Sequence, residues 1–161
     1  MRSLLKNPVL PLVLTCVVGL GAGSALADIL TYTGSLSGAN EVPAVATAAS
    51  GTAVLVVDTE SLAATWTLEF SGLSSTQTAA HFHAAPAGTN GGVVFALPTG
   101  TPINGDWTMT VPQFDSLVAG NIYVNVHTAN FPGGEIRGQM SLTGTVPADD
   151  VSFSAVKALF R

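Results

Sequence analysis

The chain is expected to fold as an all-β protein, an antiparallel Greek-key β-sandwich or barrel with a short C-terminal helix, and three observations predict it. Seven or eight short runs rich in β-branched and aromatic residues follow one another between residues 28 and 142. Gly, Pro, Asn and Ser divide them, residues whose backbone freedom, fixed φ or local hydrogen bonds suit turns. Where the runs can be read residue by residue, apolar and polar positions alternate with the period of a strand, and no convincing helical period competes over the same stretch.

Residues 1–27 differ from the rest. Arg2 and Lys6 open the chain, residues 9–22 are apolar, and Ala25-Leu26-Ala27 is a small-x-small cleavage pattern, so this segment reads as a secretory signal peptide cut before Asp28. Pro11 and several glycines interrupt its apolar run, and no other stretch reaches the ~18 apolar residues of a membrane span. The expected product is exported, periplasmic or secreted, without stable insertion in a membrane. The 134 residues that follow suit one domain, placed at residues 28–144.

Within that domain the expected strands are 29–37, 51–57, 63–70, 79–83, 93–97, 105–111, 121–127 and 134–142. Residues 86–92 and 131–134 are glycine-rich turns between them. Residues 145–161 form a tail of different character. Asp149 or Asp150 is placed to cap a helix, Phe153, Val156, Leu159 and Phe160 fall on one stripe, and Lys157 and Arg161 suit its carboxyl end. So short a helix is marginal alone in water, so its stripe needs a surface, either its own domain or a second copy in a homo-oligomer.

Charge and cysteine content remove several classes of partner and chemistry. Beyond the leader, Arg137, Lys157 and Arg161 stand against ten acids, a net charge of −7. Nucleic acids and anionic lipids are recognised by clustered Lys and Arg, which this chain lacks. The single cysteine, Cys16, lies in the leader. Neither a disulfide nor a thiolate ligand is then available, and any metal must be held by nitrogen and oxygen.

The three histidines are the most informative residues. His81 and His83 flank Phe82, and His127 ends Ile122-Tyr123-Val124-Asn125-Val126-His127. On a strand His-x-His sends both imidazoles to one face, where a third from a neighbouring strand can complete a site. Alternation puts Tyr123, Asn125 and His127 opposite the apolar Ile122, Val124 and Val126. In the last run it turns Ile136, Met140 and Leu142 inward and Glu135, Arg137 and Gln139 outward. Neutral imidazoles suit copper, which among divalent first-row ions binds nitrogen sites most tightly. Arg137, the one cation of the β-domain, would focus an anion on the metal face. Glu135 would orient an imidazole or Arg137, or else form an ordinary exposed pair with Arg137. Glu41 is expected to order its loop, and Trp66 and Trp107 to pack in the core or at an edge.

Five motifs follow in order: Leu36-Ser37-Gly38-Ala39-Asn40-Glu41-Val42-Pro43, Ala80-His81-Phe82-His83, Gly88-Thr89-Asn90-Gly91-Gly92-Val93-Val94, Tyr123-Val124-Asn125-Val126-His127-Thr128 and Pro132-Gly133-Gly134-Glu135-Ile136-Arg137-Gly138-Gln139. Together they resemble the chordin-type (CHRD) domain over residues 30–143. The resemblance implies an immunoglobulin- or superoxide-dismutase-like β-sandwich; in chordin such domains belong to an extracellular antagonist of growth factors. A second resemblance, to the site logic of copper superoxide dismutases, matches His81, His83 and His127 to copper ligands and Arg137 to the guanidinium that draws in superoxide. This chain departs from those enzymes in having no fourth histidine and no disulfide, which disfavours zinc.

The function expected is therefore that of an exported copper-binding protein that disproportionates superoxide, with copper as cofactor and Arg137 and Glu135 assisting catalysis. The alternatives are a copper carrier and an extracellular protein-interaction module without catalysis. Zinc-water hydrolysis also fits three histidines on strands, but no base or substrate pocket for it is identifiable.

Overall fold

The computed structural model describes residues 27–147; the proposed leader and the helix expected after Asp149 lie outside them. The described residues form strands β1 (Ile29–Ser37), β2 (Ser50–Asp58), β3 (Ala63–Ser71), β4 (Gln77–Ala84), β5 (Gly92–Leu97) and β6 (Ile103–Thr108), helix α1 (Val111–Val118), then strands β7 (Ile122–Thr128), β8 (Ile136–Gln139) and β9 (Ser141–Val146). All pairings are antiparallel, and they join the strands into one sheet in the order β5-β4-β7-β8-β1-β2-β3-β6. β8 and then β9 share the second edge of β1. The all-β expectation holds, as a nearly closed barrel.

The sheet wraps around an apolar interior built by alternation. Ala53, Leu55 and Val57 of β2, Ala64, Trp66 and Leu68 of β3, Ala80 and Phe82 of β4 and Ile122, Val124 and Val126 of β7 all point inward and are buried. At the seam β5 and β6 do not pair. Aromatic stacking joins them instead: the Trp107 ring lies 4.9 Å from Phe95 and 5.3 Å from Phe82, nearly parallel to each. Trp66 meets Phe95 edge-on, so both tryptophans are core residues.

Three expectations are corrected. The run 105–111 is not one strand, because the chain turns into α1 at Val111. A capping box starts that helix: the Thr110 side chain accepts from the backbone at Gln113, whose own side chain accepts from the Thr110 N–H. Gln113 Nε2 also donates to Val94 O, covering the open side of edge strand β5. The run 134–142 is likewise broken at Met140. Met140 is buried but Leu142 is 53% exposed: β9 keeps the register of β8 on β1 as far as Leu142, but among the described residues it pairs with β1 alone and has no neighbour on its other edge. Finally, the sheet runs on to Val146, so residues 145 and 146 are strand, not tail. Among the described residues no helix is long and apolar enough to cross a membrane.

Candidate metal centre

Strands β4, β7 and β8 are adjacent, and their register sets the outward side chains in a grid. His83 pairs with Tyr123, which pairs with Gln139; His81 pairs with Asn125, which pairs with Arg137; and Ala79 pairs with His127. The small Ala79 leaves the His127 ring room to lean toward His81 across the diagonal. The ring centroids are 5.0 Å apart for His81 and His127, 5.6 Å for His81 and His83, and 6.1 Å for His83 and His127. One nitrogen from each ring lies within 4.8 Å of one from each of the others. The three histidines singled out from the sequence therefore converge.

Two of them are oriented by backbone. A carbonyl oxygen can only accept, so Nδ1 of His83, 3.0 Å from Gly91 O, carries its proton, as does Nδ1 of His127, 2.9 Å from Pro132 O. Both rings are left with an unprotonated Nε2 when neutral. His83 Nε2 is buried and has no hydrogen-bond partner among the described residues. His127 Nε2 lies 3.1 Å from His81 Nδ1 and accepts from it. To offer Nδ1 to a metal, His81 only has to carry its proton on Nε2. The two carbonyls come from the glycine-rich turns. Gly91 cannot carry a side chain, since a Cβ would run into the Ala84 carbonyl.

The environment favours neutral imidazoles. Burial lowers the pKa of His81, and the neighbouring His127 lowers it further. At His83 burial again lowers it; the Gly91 bond opposes this, while His81, His127 and Arg137 add to the lowering. An imidazole must be unprotonated to ligate a metal, and the lowered values of His81 and His83 are compatible with that. A first-row ion holds imidazole nitrogen at about 2 Å, and donors this close need only small side-chain rotations to share one. The donor set fits a metal: three convergent imidazole nitrogens, one of them a buried atom that no other described residue bonds. His81 and His127 are half-buried and leave a side open to solvent.

Arg137 and Glu135 are not where the sequence reading put them. Both do point away from the apolar interior, but loops cover them, and they are 1% and 0% exposed. Arg137 NH2 donates to Thr89 O at 2.9 Å and Pro86 O at 3.4 Å, and NH1 donates to Asn90 Oδ1. Its guanidinium carbon sits 3.4 Å over the Tyr123 ring. A cation so enclosed does not front the open side of the histidines. Glu135 contacts neither Arg137 nor an imidazole: its carboxylate accepts from Thr47 Oγ1, Ser74 N, Ser74 Oγ and Thr128 Oγ1 at 2.7–3.0 Å. Burial alone would raise its pKa, but those hydrogen bonds outweigh it and hold the carboxyl below the usual range. It ties three chain segments together.

Glu41 has the opposite character. Asn125 Nδ2 donates to both of its oxygens, at 3.0 and 3.1 Å, and among the described residues no other hydrogen bond reaches them. Burial pushes its pKa up to about 7 against the lowering by Arg137 and Asn125. Gly134, at φ +127°, covers this pair, and a Cβ there would strike both side chains. The sequence reading missed the carbonyls of Gly91 and Pro132, although it placed their turns at the rim. It also missed the stacking of Tyr123 on His83, at 4.8 Å and 7° between planes. The signal in the sequence was alternation, which puts Tyr123 on the face of the histidines; its pairing with His83 is visible only in the structure.

The fold and site together define a small all-β domain with a three-histidine cluster on its loop-covered outer face. The family model of the CHRD domain matches residues 32–140, and the chain belongs to that family. No curated protein and no solved structure matches the chain.

Proposed function

We propose that the protein is exported, binds one copper ion through His81, His83 and His127, and disproportionates superoxide there. The observation that carries this reading is His83 Nε2, buried beside two other imidazoles and without a hydrogen-bond partner among the described residues, while Nδ1 is committed to Gly91 O. Buried side-chain nitrogens are as a rule hydrogen-bonded, and of the unpartnered buried atoms in the described residues only His83 Nε2 stands among other potential ligands. A donor set without carboxylate disfavours magnesium, and a nitrogen site binds divalent copper more tightly than zinc. Copper would supply a one-electron couple: one superoxide yields its electron and leaves as O2, and a second takes that electron with two protons and leaves as H2O2. The chain's part is to favour the neutral forms of His81 and His83, fix His83 and His127 through Gly91 and Pro132, and leave the His81–His127 side accessible.

The burial of Arg137 favours a second reading, copper carriage without turnover. It is the sole basic residue among those described, so the metal side has no cation to draw superoxide toward an acidic surface. Metal analysis after copper loading, with zinc as competitor, combined with superoxide consumption by the parent and His127→Ala, separates these readings. One copper per chain, with fast turnover and both lost in His127→Ala, establishes the enzyme. Copper without turnover establishes the carrier. Failure to retain copper overturns both and leaves a CHRD domain that acts through protein contacts.

A further inference from the structure

We propose that Arg137 and Tyr123 are positioning residues for the metal site, a cation-and-ring stack that holds His83 in place and biases bound copper toward its reduced state. The inference rests on the copper reading above. β7 lies between β4 and β8, so Tyr123 has His83 on one side and Arg137 on the other. The imidazole and phenol rings are parallel within 7° at 4.8 Å, and the guanidinium carbon is 3.4 Å from the phenol centroid. Imidazole, phenol and guanidinium thus form a column that runs from a metal ligand to the only cation of the described domain.

The column is locked at both ends by one loop. Gly91 O accepts from His83 Nδ1, and Gly91 N–H donates to Tyr123 Oη at 3.1 Å. Arg137 holds the same loop through Pro86 O, Thr89 O and Asn90 Oδ1, and Asn90 Nδ2 donates to Val42 O on the neighbouring loop at 2.7 Å. The position of Gly91, and with it the orientation of His83, depends on Arg137. A fixed positive charge one ring away from a ligand, and screened from water, disfavours the more highly charged metal state. The effect is on the equilibrium Cu(II) + e⁻ → Cu(I), with the electron drawn from the redox buffer.

The test is an equilibrium redox titration of the copper-loaded full chain, for the parent, Arg137→Lys and Arg137→Met. Arg137→Met is expected to shift the Cu(I)/Cu(II) preference about tenfold toward Cu(II), about 59 mV for a one-electron couple. Arg137→Lys, which keeps the charge, is expected to retain most of the parent value. Equal potentials in the parent and Arg137→Met overturn the proposal. If Arg137→Met does not fold, Glu41→Gln decides: at pH 8 it removes the negative charge facing Arg137, so the potential must rise, and an unmoved potential overturns the stack. A parent chain that retains no copper marks failure of the metal reading itself and takes this proposal with it.

Discussion

Strands β3 and β7 obey the same alternation and end in different environments. Along β3, Ala64, Trp66 and Leu68 are buried while Thr65, Thr67 and Glu69 between them are exposed. Along β7, Ile122, Val124 and Val126 are buried, but so are Tyr123 and Asn125 on the other face. The difference lies outside both strands. The loops that carry Glu41, Asn90 and Gly134 fold over β7 and β8 and leave β3 bare. Among the described residues the six buried polar or charged ones, Glu41, His83, Asn125, Thr128, Glu135 and Arg137, lie beneath or within that cover. One strand thus borders two interiors, an apolar one that holds the barrel together and a polar one that presents the histidines.

The inner faces should respond alike, and here the effect is largest. Leu68→Ala in β3 empties a fully buried site and is expected to cost about 2–5 kcal/mol, with the metal site of the folded fraction intact. Urea denaturation combined with copper titration checks this, and loss of copper by a folded Leu68→Ala would contradict the separation of the two interiors.

The outer faces should differ. Asn125→Ala strips Glu41 of its only hydrogen-bond donor and is expected to cost about 1–3 kcal/mol. Thr67→Ala, at the equivalent kind of position on β3, should stay within about 0.5 kcal/mol. Equal denaturation midpoints for the two variants would mean that the loops over β7 carry no weight in stability.

The same contrast explains what could be read from the sequence. Local pattern located the strands and found β1 to the residue. It also assigned the direction of the outward side chains on β4 and β7 correctly, because period two is a property of the strand alone. Burial of those side chains is not local. Glu41 meets Asn125 across 84 residues, Asn90 meets Arg137 across 47, and Ser74 meets Glu135 across 61. No periodicity encodes such contacts, so Glu135 and Arg137 read as outward-facing, either assisting the metal face or forming an exposed pair, when each is enclosed among separate partners. Helix α1 was legible in part: Thr110 and Gln113 spell a capping box, with Pro112 in the first turn. Eight residues are too few for a helical period to stand out from the strand before them.

The smallest effect sharpens the comparison within the covered layer itself, because its two carboxylates titrate in opposite directions. Glu135, held below its usual value by four donors, stabilises the fold above pH 4.5, and this contribution is lost as pH falls through its lowered folded pKa. Glu41 is raised from 4.5 to about 7, so the folded state binds the extra proton and favours the neutral acid. Its contribution is complete below pH 4.5 and declines as pH rises to about 7. Glu41→Gln makes the neutral form permanent, so its stability relative to the parent should rise across that window and level off above it. Glu135→Gln should lose ground to the parent above pH 4.5 and converge with it in acid. Denaturation midpoints from pH 3.5 to 8 read both slopes, and parallel curves for Glu41→Gln and the parent would show that Glu41 is ionised in the fold throughout, with Asn125 and Arg137 outweighing its burial.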